Sequence, residues 1–218
     1  MLDINIVYEY WPAIVNGTLK TVQIAFCSCI LGVIGGTSIG LLQAYAPKYV
    51  RRIISLITGA IKGTPMLIQI TFAFFLLPQI GIQISAFWTT VIAIGINSSS
   101  YLSSVIYGGI KAIPMGQIEA AHVLGFSRLQ TIRSIILPQA FSIVFPALGN
   151  ELITLIKDSS LASIIGVMEL TKEAAIMRSR TYDVITTYTV VACIYLILTT
   201  SVVFAMYLIN KRMHHVTD

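Results

Sequence analysis

The chain has 218 residues, of which 56% are hydrophobic and only 11% charged, with a mean hydropathy of +0.84. Soluble domains carry about 25% charged residues, so the composition excludes an ordinary soluble domain and specifies an integral membrane protein. The net charge of +5, from 14 Lys and Arg against 9 acids, is the sign expected of basic cytoplasmic loops; no basic run interleaved with aromatics argues for nucleic-acid binding.

Taken in order, residues 1–16 are mixed, with Tyr8, Tyr10 and Trp11 clustered as headgroup-level aromatics cluster, and predict a short interfacial segment. Asp3 and Glu9 lie where a cleaved signal peptide would be basic. A first span is predicted from about Thr18 to Ala46. Within it Ser28, Gly32, Gly36, Gly40 and Ala44 recur every four residues and form one small face of the kind through which membrane helices pack closely. Pro47 to Arg52 is a basic break. A second span, Ile53 to Leu77, is interrupted at Lys62-Gly63-Thr64-Pro65, where a Gly and a Pro free backbone groups that must face protein or a cavity. Pro78 to Ser85 is a loop, and a third span covers Ala86 to Ile110 with a polar middle, Asn97 to Tyr101.

The long polar interruption, residues 111–138, follows. Met115 to Leu124 reads as a short helix ended by Gly125. Ser127 caps a second short helix, and Pro138 opens the next one. The fourth span is Gln139 to Ile156, ended by Lys157 to Ser160. Gly166 to Asp183 is less hydrophobic and holds Glu169, Lys172, Glu173, Arg178, Arg180 and Asp183. The last span, Val184 to Ile209, ends at Lys211 and Arg212.

Five spans put the termini on opposite sides. The flanks on the side of the polar loop hold Lys48, Arg51, Arg52, Lys111, Arg128, Arg133, Lys211 and Arg212, eight in all, against four (Lys20, Lys172, Arg178, Arg180) on the other. Positive-inside bias therefore predicts the loop and the C-terminus in the cytoplasm and the N-terminus outside. Three cysteines, Cys27, Cys29 and Cys193, make no disulfide framework, and Cys27 and Cys29, two apart on a helix, are a poor metal pair. No metal site is expected. No G-x-x-x-x-G-K-[ST] occurs, and no H-E-x-x-H or G-x-S-x-G lies around the histidines, so no catalytic residue is assigned and any ATP is bound by another polypeptide. His122, His214 and His215 read as solvated loop residues.

Polar groups at membrane depth are the stronger lead, because a charge at a span centre costs about 2.5–3.5 kcal/mol. The pathway candidates are Lys62, Thr64, Asn97, Tyr101, Ser104, Asn150, Glu151, Lys157 and Asp158. For Lys157 and Asp158 an internal ion pair is the competing reading.

The polar loop carries the most specific pattern. Glu119, Ala120, Ala121, Gly125, Ile135, Leu137 and Pro138 fill an E-A-A, three residues, Gly, nine residues, I-x-L-P spacing. This resembles the "EAA" cytoplasmic loop of ABC importer membrane subunits. With Gly63-Thr64-Pro65, Gly116 to Ala121, Leu137 to Ala140, Leu148 to Asn150 and Lys157 to Ser163 in order, the chain resembles the permease subunits of polar amino-acid ABC importers, from about Asn16 to Arg212. The resemblance implies an all-α, five-helix type I importer core forming a single transmembrane domain over 1–218. It also implies a bacterial inner-membrane location, surrounded by lipid, with Glu119, Ala120, Ala121 and Gly125 coupling the chain to a separate ABC ATPase that binds ATP and Mg. A second permease subunit and an extracytoplasmic substrate-binding protein complete the implied assembly. One departure concerns A-Y-x-A-E-x-x-R-G, common in the third span: here Ser104 stands for the Glu and Tyr107 for the Arg. Losing both together suits the loss of one ion pair, and it weakens the carry-over of a substrate carboxylate, and so of a cationic ligand. The alternatives are the same role for an opine, a peptide or another small metabolite, or a secondary transporter or membrane enzyme. The second of these usually shows internal repeats, and no duplicated half is found.

Overall fold

The computed structural model describes residues 2–214, with side chains to Arg212; His215 and the side chain of His214 lie outside the described residues. Those residues form helices and no strands. Helix α1 runs unbroken from Ile4 to Tyr45. At 1.5 Å per residue it is about 63 Å long, twice a hydrocarbon core of roughly 30 Å. The expected separate interfacial segment is thus the first third of α1. Asp3 caps it through Asn5 N–H (2.9 Å), and its own N–H donates to Thr186 Oγ1 (3.0 Å). Tertiary packing extends the helix: Ile14, Ile6 and Tyr10 join Leu170, Ala174, Met177 and Val191 in one cluster, leaving Tyr8 and Trp11 exposed.

Helices α2 (Lys48–Gly63) and α3 (Met66–Gln79) meet at 99°. The basic residues expected in a break instead occupy the first turns of α2. Helix α4 (Ala86–Lys111) lies within one residue of the expected third span. Its close neighbour is α1. A Cβ at Gly32, Gly36 or Gly40 would meet Ser98, Leu102 or Ile106 respectively, so the two four-residue ladders advance together and the helices run parallel. Since α4 repeats the direction of α1, the bent α2–α3 pair carries the chain back across.

Helix α5 (Met115–Val123) ends where expected. Gly125 is left-handed at φ +81°, Phe126 N–H reaches Ala121 O (3.0 Å), and Ser127 and Gln130 form a capping box on α6 (Arg128–Thr131). Pro138 stands in the first turn of the next helix, as expected, but that helix has no free start. A π segment, Ile132–Ile136, joins α6 to α7 (Leu137–Asp158) without a break. The wider turn accommodates a proline that has no N–H and whose ring crowds the carbonyl four residues back. A 3₁₀ turn (Ser159–Ile165) then leads to α8 (Leu170–Thr181) and α9 (Val184–His214). Gly149 packs on Met206, and Leu155 shares a cluster with Leu198 and Val202, so α7 and α9 are antiparallel. The end of α9 therefore lies on the side of the α5–α6 loop, while α8 and the start of α1 lie on the other.

Three helical stretches are long and apolar enough to cross a membrane: α1, Arg128–Ile165 and α9. The bent pair makes a fourth. Helix α4 is long enough but polar at its centre, and a count of five spans is compatible with this arrangement. Three of the serines of α4 are satisfied within the helix: Ser99 donates to Gly95 O (2.7 Å), Ser100 to Ile96 O (3.2 Å) and Ser103 to Ser100 O (2.8 Å).

Outside these spans, Glu169 has no exposed surface, yet it N-caps α8. It accepts from Thr171 N–H and Lys172 N–H (both 2.8 Å), Tyr195 OH (3.2 Å) and Thr21 Oγ1 (3.4 Å), joining α8 to α1 and α9. Burial pushes its carboxyl above the ordinary range, and these donors pull it back. Glu169→Val is expected to destabilise the fold by about 2–3 kcal/mol, since a cap is lost and buried donors are orphaned. An unchanged melting temperature for the purified variant would refute this.

Candidate functional site: a cleft at the broken helix

Two groups of expected site residues are brought together, at different levels of the molecule. The first is the α5–α6 loop. Its backbone is fixed from inside: Ile113 and Ile136 are buried in one cluster with Ile118 packed against it, and Gln139 Nε2 donates to Gln117 Oε1 (2.7 Å) across to α7. Outside, Met115, Val123, Leu124 and Leu129 are 65–87% exposed, an apolar patch beside exposed Glu119 and Ala120. Ala121 departs from expectation. It is 2% exposed, so it packs inward and offers no surface to another protein; its neighbour Ala120 does.

The second group surrounds a cleft of about 480 Å³ lined by Lys62, Gly63, Thr64, Pro65 and Met66 from the α2–α3 elbow, Asn97 and Tyr101 from α4, and Glu151, Thr154, Leu155 and Asp158 from α7. The elbow follows from Pro65: its ring holds φ near −60°, and the residue before a proline is driven to extended backbone, as Thr64 is (φ −105°, ψ 139°). On α4, Asn97 and Tyr101 are one turn apart and share a face. Ser98, Ser99 and Ser100, expected in the same polar belt, turn to α1 or their own helix. On α7, spacings of three, four and seven put Glu151, Thr154, Leu155 and Asp158 on one stripe. One ammonium, Lys62, therefore faces two carboxylates, Glu151 and Asp158, across a space suited to a small solute.

Three expected residues lie elsewhere. Asn150 faces a smaller hollow between α7 and α9, with Met206, Tyr207 and Asn210. Lys157 is exposed on α7 and does not line the cleft. Ser104 is outside the lining but is held by it: Lys62 Nζ donates to Ser104 Oγ (2.8 Å) and sits 6.0 Å from the Tyr101 ring. Ser104 faces Lys62, whereas Tyr107 lies 5.9 Å beneath the guanidinium of Arg51 and 6.0 Å from the Lys111 ammonium, so each position answers a different cation. Sequence reasoning missed Thr154, legible as the residue one turn from Glu151, and Gln69, whose only signal was a lone amide in an apolar run.

With this geometry established, comparison with known proteins identifies the family. Residues 36–215 match the family described as "Binding-protein-dependent transport system inner membrane component". The putative glutamine transport system permease protein GlnP of Rickettsia conorii is 37% identical over 209 residues, covering 94% of this chain and 96% of that one. The arginine transport system permease protein ArtQ of Bacillus subtilis is 33% identical over 213 residues, 97% of both, and the L-cystine transport system permease protein TcyB of the same organism is 34% identical, covering 94% and 88%. Among solved structures, a crystal structure of an amino acid ABC transporter with histidines superimposes with TM-score 0.88 at 35% identity, covering 97% of this chain and 99% of that one. The MetNI methionine ABC transporter shares the fold at TM-score 0.82 and 22% identity. A helical chain built around a broken span, with an E-A-A loop on one side and these relatives along nearly its whole length, belongs to the binding-protein-dependent transport system inner membrane components, the multi-pass permease family of ABC transporters.

Proposed function

We propose that this chain is the translocating subunit of an ATP-driven importer of a polar amino acid. The observation that carries the reading is the cleft, where the ammonium of Lys62 at a broken helix faces two carboxylates of α7 beside the polar side chains of α4. A zwitterion at membrane depth needs charge of both signs and hydrogen-bonding groups. Lys62 and the first N–H groups of α3, which lie at the positive end of that helix, meet the substrate carboxylate; Glu151 and Asp158 meet its ammonium. The relatives named for glutamine, arginine and cystine support the substrate class.

Energy comes from a separate ATPase, in keeping with a sequence that has no phosphate-cradling loop. The apolar face of α5 and the turn at Gly125 seat that ATPase on the cytoplasmic side, which the distribution of Lys and Arg favours. A second permease subunit completes the pathway. The extracytoplasmic binding protein delivers substrate to the side of α8.

Import into vesicles holding the native complex tests the cleft. Glu151→Gln and Asp158→Asn are each expected to slow uptake or reorder substrate preference while the assembled complex is recovered in wild-type amount. If both variants import with wild-type rate and selectivity, these carboxylates are scaffold and the substrate passes elsewhere.

A further inference from the structure

The α2–α3 elbow is laced by a residue that does not line the cleft. Gln69, one turn into α3, reaches back: its Nε2 donates to Ile61 O (2.7 Å), Thr64 O (2.9 Å) and Thr64 Oγ1 (2.9 Å). Two of these are carbonyls near the break, where Pro65 brings no N–H. The other end of the same amide faces α4, and Gln69 Oε1 accepts from Asn97 Nδ2 (3.2 Å). Three oxygens around Nε2 fix which way the Gln69 amide lies, and that in turn fixes Asn97. With Nδ2 turned to Gln69, the remaining Asn97 oxygen accepts no hydrogen bond among the described residues, while Asn97 itself lines the cleft.

We infer that Gln69 is a positioning residue for substrate selection. One amide sets the angle at which the elbow presents Lys62 and Thr64, and it holds Asn97 so that its Oδ1 faces the cleft as an acceptor for an ammonium or amide N–H of the substrate. A carbonyl acceptor held this way discriminates against ligands that cannot donate, because they leave a polar group unpaired. The inference rests on the amino-acid reading of the cleft and adds the group that orders its specificity.

The test uses the complete complex in vesicles, with uptake of labelled glutamine, arginine and cystine measured as a function of concentration, alone and against the other common amino acids. Gln69→Leu is expected to raise the half-saturating concentration about tenfold, the equivalent of roughly one hydrogen bond, and to change the preference order as Asn97→Ala does. The double variant is expected to be no worse than the more impaired single one, since both act through one contact. A merely structural Gln69 would lower rate and recovered complex together, leave half-saturation and preference in place, and add its loss to that of Asn97→Ala; that result overturns the inference. Where Gln69→Leu does not assemble, Gln69→Glu decides. It keeps the acceptor for Asn97 and loses donors to the elbow, so wild-type preference at a lower maximal rate is expected, and a preference matching Asn97→Ala refutes the orientation argument. Absence of uptake of every amino acid by the wild-type complex would overturn amino-acid import itself, and this inference with it; uptake by wild type with unaltered behaviour of the variants overturns the role of Gln69 alone.

Discussion

Gly36→Val is expected to leave little or no correctly assembled protein in the membrane. A Cβ at Gly36 would stand 2.6 Å from Leu102 Cβ and 3.2 Å from the backbone oxygen of Ser99. Side-chain tips can swing away; a Cβ and a carbonyl on a packed helix cannot. Relief therefore requires α1 and α4 to separate along a seam where Ser28, Gly32, Gly36, Gly40 and Ala44 are all buried. In lipid, separation is not resisted by a hydrophobic penalty and the close contact itself is the stabilising term. Overpacking of this kind costs about 3 kcal/mol in a well-packed interior. Gly59→Val is the matched control, because nothing lies within 4 Å of a Cβ there. Detergent-extracted protein, compared by size-exclusion profile and melting temperature, separates the two. A Gly36→Val protein that melts with wild type would show that the seam is loose.

Gly125→Asp is expected to have the opposite character: normal assembly with no transport. The position has φ +81° and open space around a would-be Cβ, so no clash arises. The left-handed backbone costs a non-glycine residue roughly 1–2 kcal/mol, and aspartate tolerates it better than most. The protein therefore folds, but a carboxylate now stands within the exposed patch of Val123, Leu124 and Leu129. If that patch seats the ATPase, substrate-stimulated ATP hydrolysis and uptake fall together to background while complex recovery stays near normal. Wild-type transport by Gly125→Asp in reconstituted vesicles would remove the loop from the coupling mechanism.

What could be read from the sequence was governed by local chemistry. The limits of α4, the small-residue face of α1, the elbow at Pro65, the glycine turn at 125 and the cap at Ser127 each follow from side chains within a turn or two. So does most of the cleft, because Lys62, Asn97, Glu151 and Asp158 are conspicuous at membrane depth. Features set by distant partners were not legible. Helix α1 extends to Ile4 because of packing on α8 and α9. Glu169 looked like one of several charges between spans, while its partner Thr21 is 148 residues away. Asn150 and Glu151 are neighbours in sequence but lie on different faces of α7, and Ala120 and Ala121 likewise divide between surface and interior. The continuity of α6 with α7 was hidden because proline usually begins or breaks a helix, and the π segment that accommodates it has no strong sequence mark.

The two walls of the cleft differ in their degrees of freedom. Asn97 and Tyr101 stand on a helix locked in parallel to α1 over several turns, so that wall moves only if a long interlocked rod moves with it. Lys62 to Met66 stand on a joint of two residues. That joint is narrow in range: the ring fixes the φ of Pro65, its crowding confines Thr64 to extended backbone, and Gln69 ties Ile61 O and Thr64 O across it. The elbow wall is thus set by a few local torsions and one amide where the opposite wall is set by a helix-long seam, and any movement of the elbow draws the ammonium of Lys62 away from Ser104 on the rod as it shifts it relative to Glu151 and Asp158.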